Sequence, residues 1–117
     1  MLKNKKILVV EDQKIIASVY SIMLAKKGYD VTIATNISDA HASAKELDPE
    51  LIIMDIQLNE QLTGIDLARQ LRAEGFKCTI IFTTGNLHKH TMLEVADIEN
   101  CKVLIKPVEF SEIEKLL

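Results

Sequence analysis

Five short apolar runs punctuate the chain at near-regular intervals: Ile7–Val10, Val31–Ala34, Leu51–Met54, Thr79–Phe82 and Val103–Ile105. Three of them are near-continuous and rich in Ile, Leu and Val, which suits strands buried on both faces of a parallel sheet. The stretches between them carry helical spacing. Ile16, Val19, Tyr20, Met23 and Leu24 repeat at i, i+3, i+4, i+7 and i+8, with Gly28 as the stop. Asn36 with Asp39 opens a second helix, whose inner face is Ala40, Ala44 and Leu47 and whose end is Asp48-Pro49. Ile65, Ala68 and Leu71-Arg72 belong to a third, stopped by Gly75, and a weaker fourth is expected from about Leu87 to Ile98. Ser111-x-x-Glu114 reads as a capping box for a fifth, whose apolar face begins with Ile113, Leu116 and Leu117. Strict alternation of five strands and five helices implies a doubly wound α/β sandwich with right-handed crossovers. No repeat, linker or low-complexity stretch interrupts it.

At 117 residues the chain fits one domain, read as spanning 1–117, with a core attainable without staples. An apolar fraction of 48% excludes intrinsic disorder, and a net charge of −3 gives no electrostatic footprint for nucleic acid or an anionic membrane. Two cysteines, Cys78 and Cys101, exclude a disulfide scaffold or a four-cysteine zinc site and read as reduced structural thiols. The apolar runs are far shorter than the ~20 residues a bilayer span requires. Met-Leu-Lys-Asn-Lys-Lys leads straight into the first strand with no cleavage-site pattern, so the expected location is the cytoplasm.

In doubly wound sheets ligands bind beyond the carboxyl ends of the strands, near the point where strand order reverses. The residues standing there are Glu11-Asp12 after the first strand, Asp55 after the third, Thr83-Thr84 after the fourth and Lys106-Pro107 after the fifth. In a 2-1-3-4-5 sheet the first and third strands are neighbours, so Glu11, Asp12 and Asp55 converge. Three carboxylates in one cleft repel unless a cation neutralises them, and hard oxygen ligands with few protein contacts suit Mg²⁺. A carboxylate in such a site is also a nucleophile toward phosphorus. Lys106 and Thr84 then supply the fixed cation and the hydroxyl that a transferring phosphoryl group needs. Singly, each residue has a plainer reading: helix-start acids for Glu11-Asp12, an N-cap for Asp55, a solvated strand end for Lys106. Jointly, a cluster with this charge calls for a ligand. His88-Lys89-His90 reads as surface, because i, i+2 side chains on a helix point apart. Met23, Met54 and Met92 read as core fillers.

The set resembles a response-regulator receiver domain of bacterial two-component signalling, like those related to chemotaxis regulators, and the resemblance covers essentially the whole chain. It is carried by Val9-Val10-Glu11-Asp12, Ile52-Ile53-Met54-Asp55, Phe82-Thr83-Thr84-Gly85 and Lys106-Pro107, in that order. It implies a flavodoxin-like five-stranded parallel sheet of order 2-1-3-4-5 in a three-layer sandwich. It also implies that Asp55 accepts a phosphoryl group from the phosphohistidine of a sensor histidine kinase or histidine phosphotransfer protein. Asp12 would bind Mg²⁺ directly, Glu11 through water, and the main-chain carbonyl of Gln57 would complete the protein ligands with Asp55. Thr84 would bond a phosphoryl oxygen after modification, Lys106 would pair with the carboxylate and then the phosphoryl group, and a cis bond would precede Pro107. Gln57 and Asn86 would flank the path of an attacking water.

Three departures stand out. The run Ile56-Gln57-Leu58-Asn59-Glu60-Gln61 replaces the usual Met-Pro, Gly64 falls one residue late, and Val103 stands where receivers usually carry Tyr or Phe. With a β-branched Val103 unable to sweep an aromatic's arc, the expected response is movement of the Gly85–His90 loop and the fourth helix. The chain reads either as a short stand-alone receiver or as one cut from a longer polypeptide, such as a hybrid kinase or a regulator with an output domain, with excision slightly favoured. The alternatives are a Mg²⁺-dependent phosphohydrolase, against which Asp55-Ile56-Gln57 lacks a second acid, and a receiver that only docks partners.

Overall fold

The computed structural model describes residues 5–58 and 60–117; Met1–Asn4 and Asn59, in the polar loop after Asp55, lie outside them. The order is β1 (Lys6–Val10), α1 (Lys14–Lys26), β2 (Asp30–Ala34), α2 (Ile37–Leu47), β3 (Leu51–Asp55), α3 (Gly64–Ala73), β4 (Thr79–Thr84), α4 (Lys89–Val95), β5 (Cys101–Ile105) and α5 (Phe110–Glu114). The strands form one parallel sheet of order β2-β1-β3-β4-β5, as the alternation and the resemblance imply.

The continuous apolar runs have a simple cause: successive side chains go to opposite faces of the sheet, and both faces are covered. Leu8, Val10, Ile52, Met54, Ile80 and Phe82 pack with α2, α3 and Val95 on one side. Ile7, Val9, Leu51, Ile53 and Ile81 pack with Tyr20, Leu24 and Ile113 on the other. The edge strands are only partly covered, and Ile33 and Ile105 remain exposed.

Helix ends mostly follow the sequence signals. Asn36 caps α2 by accepting from the Asp39 amide at 2.8 Å, and α2 ends at Asp48 in the left-handed region (φ 49°). Thr63 and Asp66 form a reciprocal capping box at α3. Some expectations need correction. The capping box at α5 is Glu109 with Glu112, not Ser111 with Glu114, because the helix begins at Phe110 and places Ser111 inside the first turn. Helix α4 is shorter than expected, ending at Val95, after which the Ile98 amide closes a tight turn onto Val95 O. Val19 is outside the buried stripe of α1, which is Ala17, Tyr20 and Leu24; Ile16 and Met23 are only half-buried. Leu47 is half-buried too, and Ile37 takes its place on the inner face of α2.

Parallel register aligns the carboxyl ends of β1, β3, β4 and β5 along one edge, with Val10 beside Met54 and Asp55 beside Thr83. No helix among the described residues is long and apolar enough to cross a membrane.

Candidate phosphoacceptor site

Each functional side chain sits at, or within two residues beyond, the carboxyl end of a strand. Asp55 is the last residue of β3, and its register places it beside Thr83. The chain then turns under main-chain control: the Ile56 amide donates to Thr83 O, and the Gly64 amide donates to Ile56 O, both at 2.9 Å. Gly64 packs so closely that a Cβ there would stand 2.4 Å from the Asp55 carbonyl oxygen and 3.0 Å from Met54 Cγ. Its late position in the loop is visible in the sequence; the steric demand for a residue without a side chain is not. Glu11 follows β1 and is anchored by its own amide to Ala34 O. Lys106 follows β5, its amide bonded to Thr84 O at 2.8 Å, and precedes Pro107 across a cis peptide bond.

These anchors bring Glu11, Asp12 and Asp55 together, with carboxylate oxygens within 4.8 Å of one another. Glu11 and Asp55 are buried and Asp12 is half-exposed at the mouth. At an effective dielectric of about 20, two unit charges at that separation repel by about 3 kcal/mol. Lys106 opposes this. Its Nζ donates to Asp55 Oδ2 at 2.7 Å and reaches Glu11 Oε1 at 3.4 Å. Burial alone would lower the Lys106 pKa, but the hydrogen bond and charge of Asp55, with those of Glu11, raise it above the ordinary lysine value. One ammonium against three carboxylates leaves an excess of negative charge. The strain appears at Glu11, whose pKa is pushed up to about 7: burial is the main cause, with Asp12 and Asp55 adding to it and the Gln13 amide and Lys106 opposing it.

The other oxygen of the acceptor candidate is held as well, the Gln57 amide donating to Asp55 Oδ1 at 3.0 Å. Thr84 is fully buried one position beyond the partner of Asp55. Its hydroxyl bonds with Gln57 Oε1 and Asn86 O rather than with Asp55. Among the described residues no buried side-chain polar atom lacks a partner. The donor set suits a hard divalent cation: three carboxylates converge from two strand ends, with net charge left over after Lys106 is counted. The remaining candidates fall away from the site. His88 is the exposed N-cap of α4, and His90 pairs with Glu94 on the surface at 3.3 Å. Cys78 and Cys101 are free thiols. Met54 is core as expected, whereas Met92 is about half exposed.

The family model for the response regulator receiver domain matches residues 7–117. The chain belongs to that family. A curated relative is the alkaline phosphatase synthesis transcriptional regulatory protein PhoP of Bacillus subtilis, 37% identical over 82 residues, covering 70% of this chain and 34% of that protein. The receiver spans a third to a half of the length of such relatives. Among solved structures, the receiver domain of a sensor histidine kinase from Pseudomonas aeruginosa is 28% identical, with a TM-score of 0.84 over 97% of this chain and 94% of that one; it holds a magnesium ion in its active-site cleft. The chemotaxis protein CheY4 of Vibrio cholerae shares the fold, with a TM-score of 0.88 at 22% identity over 98% of this chain and all of the other.

Proposed function

We propose that this receiver accepts a phosphoryl group from a phosphohistidine onto Asp55 and changes its partner contacts as a result. The observation that carries the reading is the buried Asp55 carboxylate, oriented by the Gln57 amide and by Lys106 Nζ at 2.7 Å, beside two further carboxylates. A lone pair of an Asp55 oxygen forms the new O–P bond while the donor's N–P bond breaks, its electron pair returning to the imidazole nitrogen. Glu11, Asp12, Asp55 and the Gln57 carbonyl would hold Mg²⁺, which supplies charge neutralisation for the entering phosphoryl oxygens. Lys106 exchanges its carboxylate partner for a phosphoryl oxygen, and Thr84 offers its hydroxyl to another. Hydrolysis reverses the modification: water attacks phosphorus, phosphate leaves and the carboxylate is restored.

A macromolecular donor is supported by the surface beside the cleft. A groove of about 490 Å³ is lined by Ile15, Ile16, Val19, Met23 and Phe110, and its rim is Lys106-Pro107. Ile15, Val19 and Ile22 leave α1 with an outward apolar face, so a helix presenting a phosphohistidine would find both a seat and the acceptor. A sensor histidine kinase or a histidine phosphotransfer protein, working in the cytoplasm, fits that description. The output would belong to another segment of the same polypeptide, as in the longer transcriptional regulators it resembles. Val103 is half-buried beside Phe82 and serves as passive packing, so the response leaves through the Gly85–His90 loop and α4.

Incubation with Mg²⁺ and acetyl phosphate, followed by intact-mass measurement, tests the proposal. One added phosphoryl group is expected. Absence of any adduct would favour a receiver that only docks partners, and sustained phosphate release over many turnovers would favour a hydrolase.

A further inference from the structure

Gln57 touches both halves of the site with different parts of itself. Its backbone amide donates to Asp55 Oδ1 at 3.0 Å, and its side-chain oxygen accepts from the Thr84 hydroxyl at 3.1 Å. Thr84 Oγ1 lies 3.1 Å from Asn86 O as well, and accepts from the Asn86 amide at 3.3 Å. A hydroxyl carries one proton, so it serves Gln57 or Asn86 O at any instant, and it serves a phosphoryl oxygen only by leaving both.

We propose that the Gln57 side chain is a latch on Thr84, a positioning residue that holds the hydroxyl in its resting place and weakens the engaged state by the free energy of that bond. The inference rests on the reading of Asp55 as acceptor and adds to it a determinant of how readily the site switches. Sequence position alone places Gln57 near the path of water; the bond to Thr84 is a separate function, acting on the hydroxyl before any phosphoryl group arrives. Two features make the latch removable without harm. Gln57 is exposed, so shortening or unpolarising it opens no cavity, and Asn86 O stands ready to take the proton, so no buried hydroxyl is orphaned. That second acceptor also limits the effect. A neutral hydrogen bond contributes a net factor of roughly two to ten, and with Asn86 O compensating the lower part of that range applies, about two- to five-fold.

The test uses beryllium fluoride with Mg²⁺ as the phosphoryl analogue, its affinity read from the NMR shift of the Gly85 backbone amide, which every variant below retains. Gln57→Met, unbranched and of similar length, should bind the analogue about two- to five-fold more tightly than wild type, and its unliganded Thr84 signal should move. Gln57→Asn keeps the amide but is one methylene too short to reach, and should behave like Met. In a Thr84→Ala background the Gln57→Met change should have no effect, because the coupling runs through the hydroxyl. Wild-type affinity in both Gln57 variants would overturn the latch while leaving the acceptor reading intact. An equal gain in the Thr84→Ala background, or an Asn variant behaving like wild type, would assign the effect to polarity near the anion and overturn it too. A wild-type protein that ignores the analogue would overturn both readings.

Discussion

Gly64→Ala is the sharpest structural test of how the acceptor is positioned. The added methyl would stand 2.4 Å from Asp55 O, 3.0 Å from Met54 Cγ and 3.3 Å from the Asp55 carbonyl carbon. The first and last of these are backbone, at the end of a fully buried strand, so neither can rotate away. Relief requires α3 to move off β3, against the Gly64 amide bond to Ile56 O and the buried contacts of Ile65 and Ala68. Overpacking of this kind costs about 1–3 kcal/mol, and backbone as the obstacle places it at the upper end. With an unfolding entropy of roughly 0.25 kcal/mol/K for a chain of this length, Tm should fall by about 10 °C. Gly85→Ala is the control. Nothing lies within 4 Å of a Cβ there and its φ is not left-handed, so it should be neutral or raise stability by a few tenths of a kcal/mol through the unfolded state. Calorimetry on both variants reads the difference, and the Asp55 and Gln57 amide resonances report whether the strand end has moved. Were close approach not the issue, Gly64→Ala would stabilise slightly, since Ala is the better helix former. A Gly64→Ala Tm at or above that of wild type would refute the reasoning.

Mg²⁺ at about ten times its dissociation constant should raise Tm by about 5 °C, and Asp12→Ala should remove the shift; an unchanged shift in the variant would place the ion elsewhere. Glu11 gives a pH signature in chelator-treated protein. Its carboxyl has a folded-state pKa of about 7 against 4.5 when unfolded. The folded state therefore holds the extra proton between those values, and this stabilisation is complete below pH 4.5 and lost as pH rises through 7. Glu11→Gln should consequently gain stability relative to wild type across that window, measured by urea unfolding, and a pH-independent difference would argue against the buried acid. The same proton must leave for a cation to bind, so Mg²⁺ affinity should rise through pH 7, and a flat profile would indicate that Glu11 is already ionised.

The edge that carries the candidate site was legible in the sequence for a physical reason. A strand buried on both faces must be apolar throughout, so a carboxylate at its end stands out, and Glu11 and Asp55 carry that mark. Lys106 follows an edge strand that already holds the exposed Lys102, and it is the Pro107 beside it that marks it. Legibility fails where the deciding fact is a distance between segments. Nothing in Gln57 or Thr84 announces that their side chains meet, and nothing in Gly64 reveals Asp55 O behind it. Local signals misled at α5, where Ser111-x-x-Glu114 carries the capping pattern but the helix begins at Phe110. The bond that closes its start runs from the Glu109 amide to Glu112 Oε1, a start with no Ser, Thr, Asp or Asn to announce it. At α1 the apolar spacing reads one residue wider than the buried stripe: Val19 joins Ile15 and Ile22 on the outward face and not the core. Val103 shows a further limit, since its departure from the receiver pattern is plain in sequence while its consequence depends on motion.

The identity of the acceptor is tested most directly by trapping the modified side chain. After incubation with Mg²⁺ and acetyl phosphate, borohydride reduces an acyl phosphate to the corresponding alcohol, and peptide mass spectrometry then reads the position. The account predicts homoserine in place of Asp55, absent when the ion is chelated and absent in Asp55→Asn. Reduction at Glu11 or Asp12, or an undiminished adduct in Asp55→Asn, would contradict it.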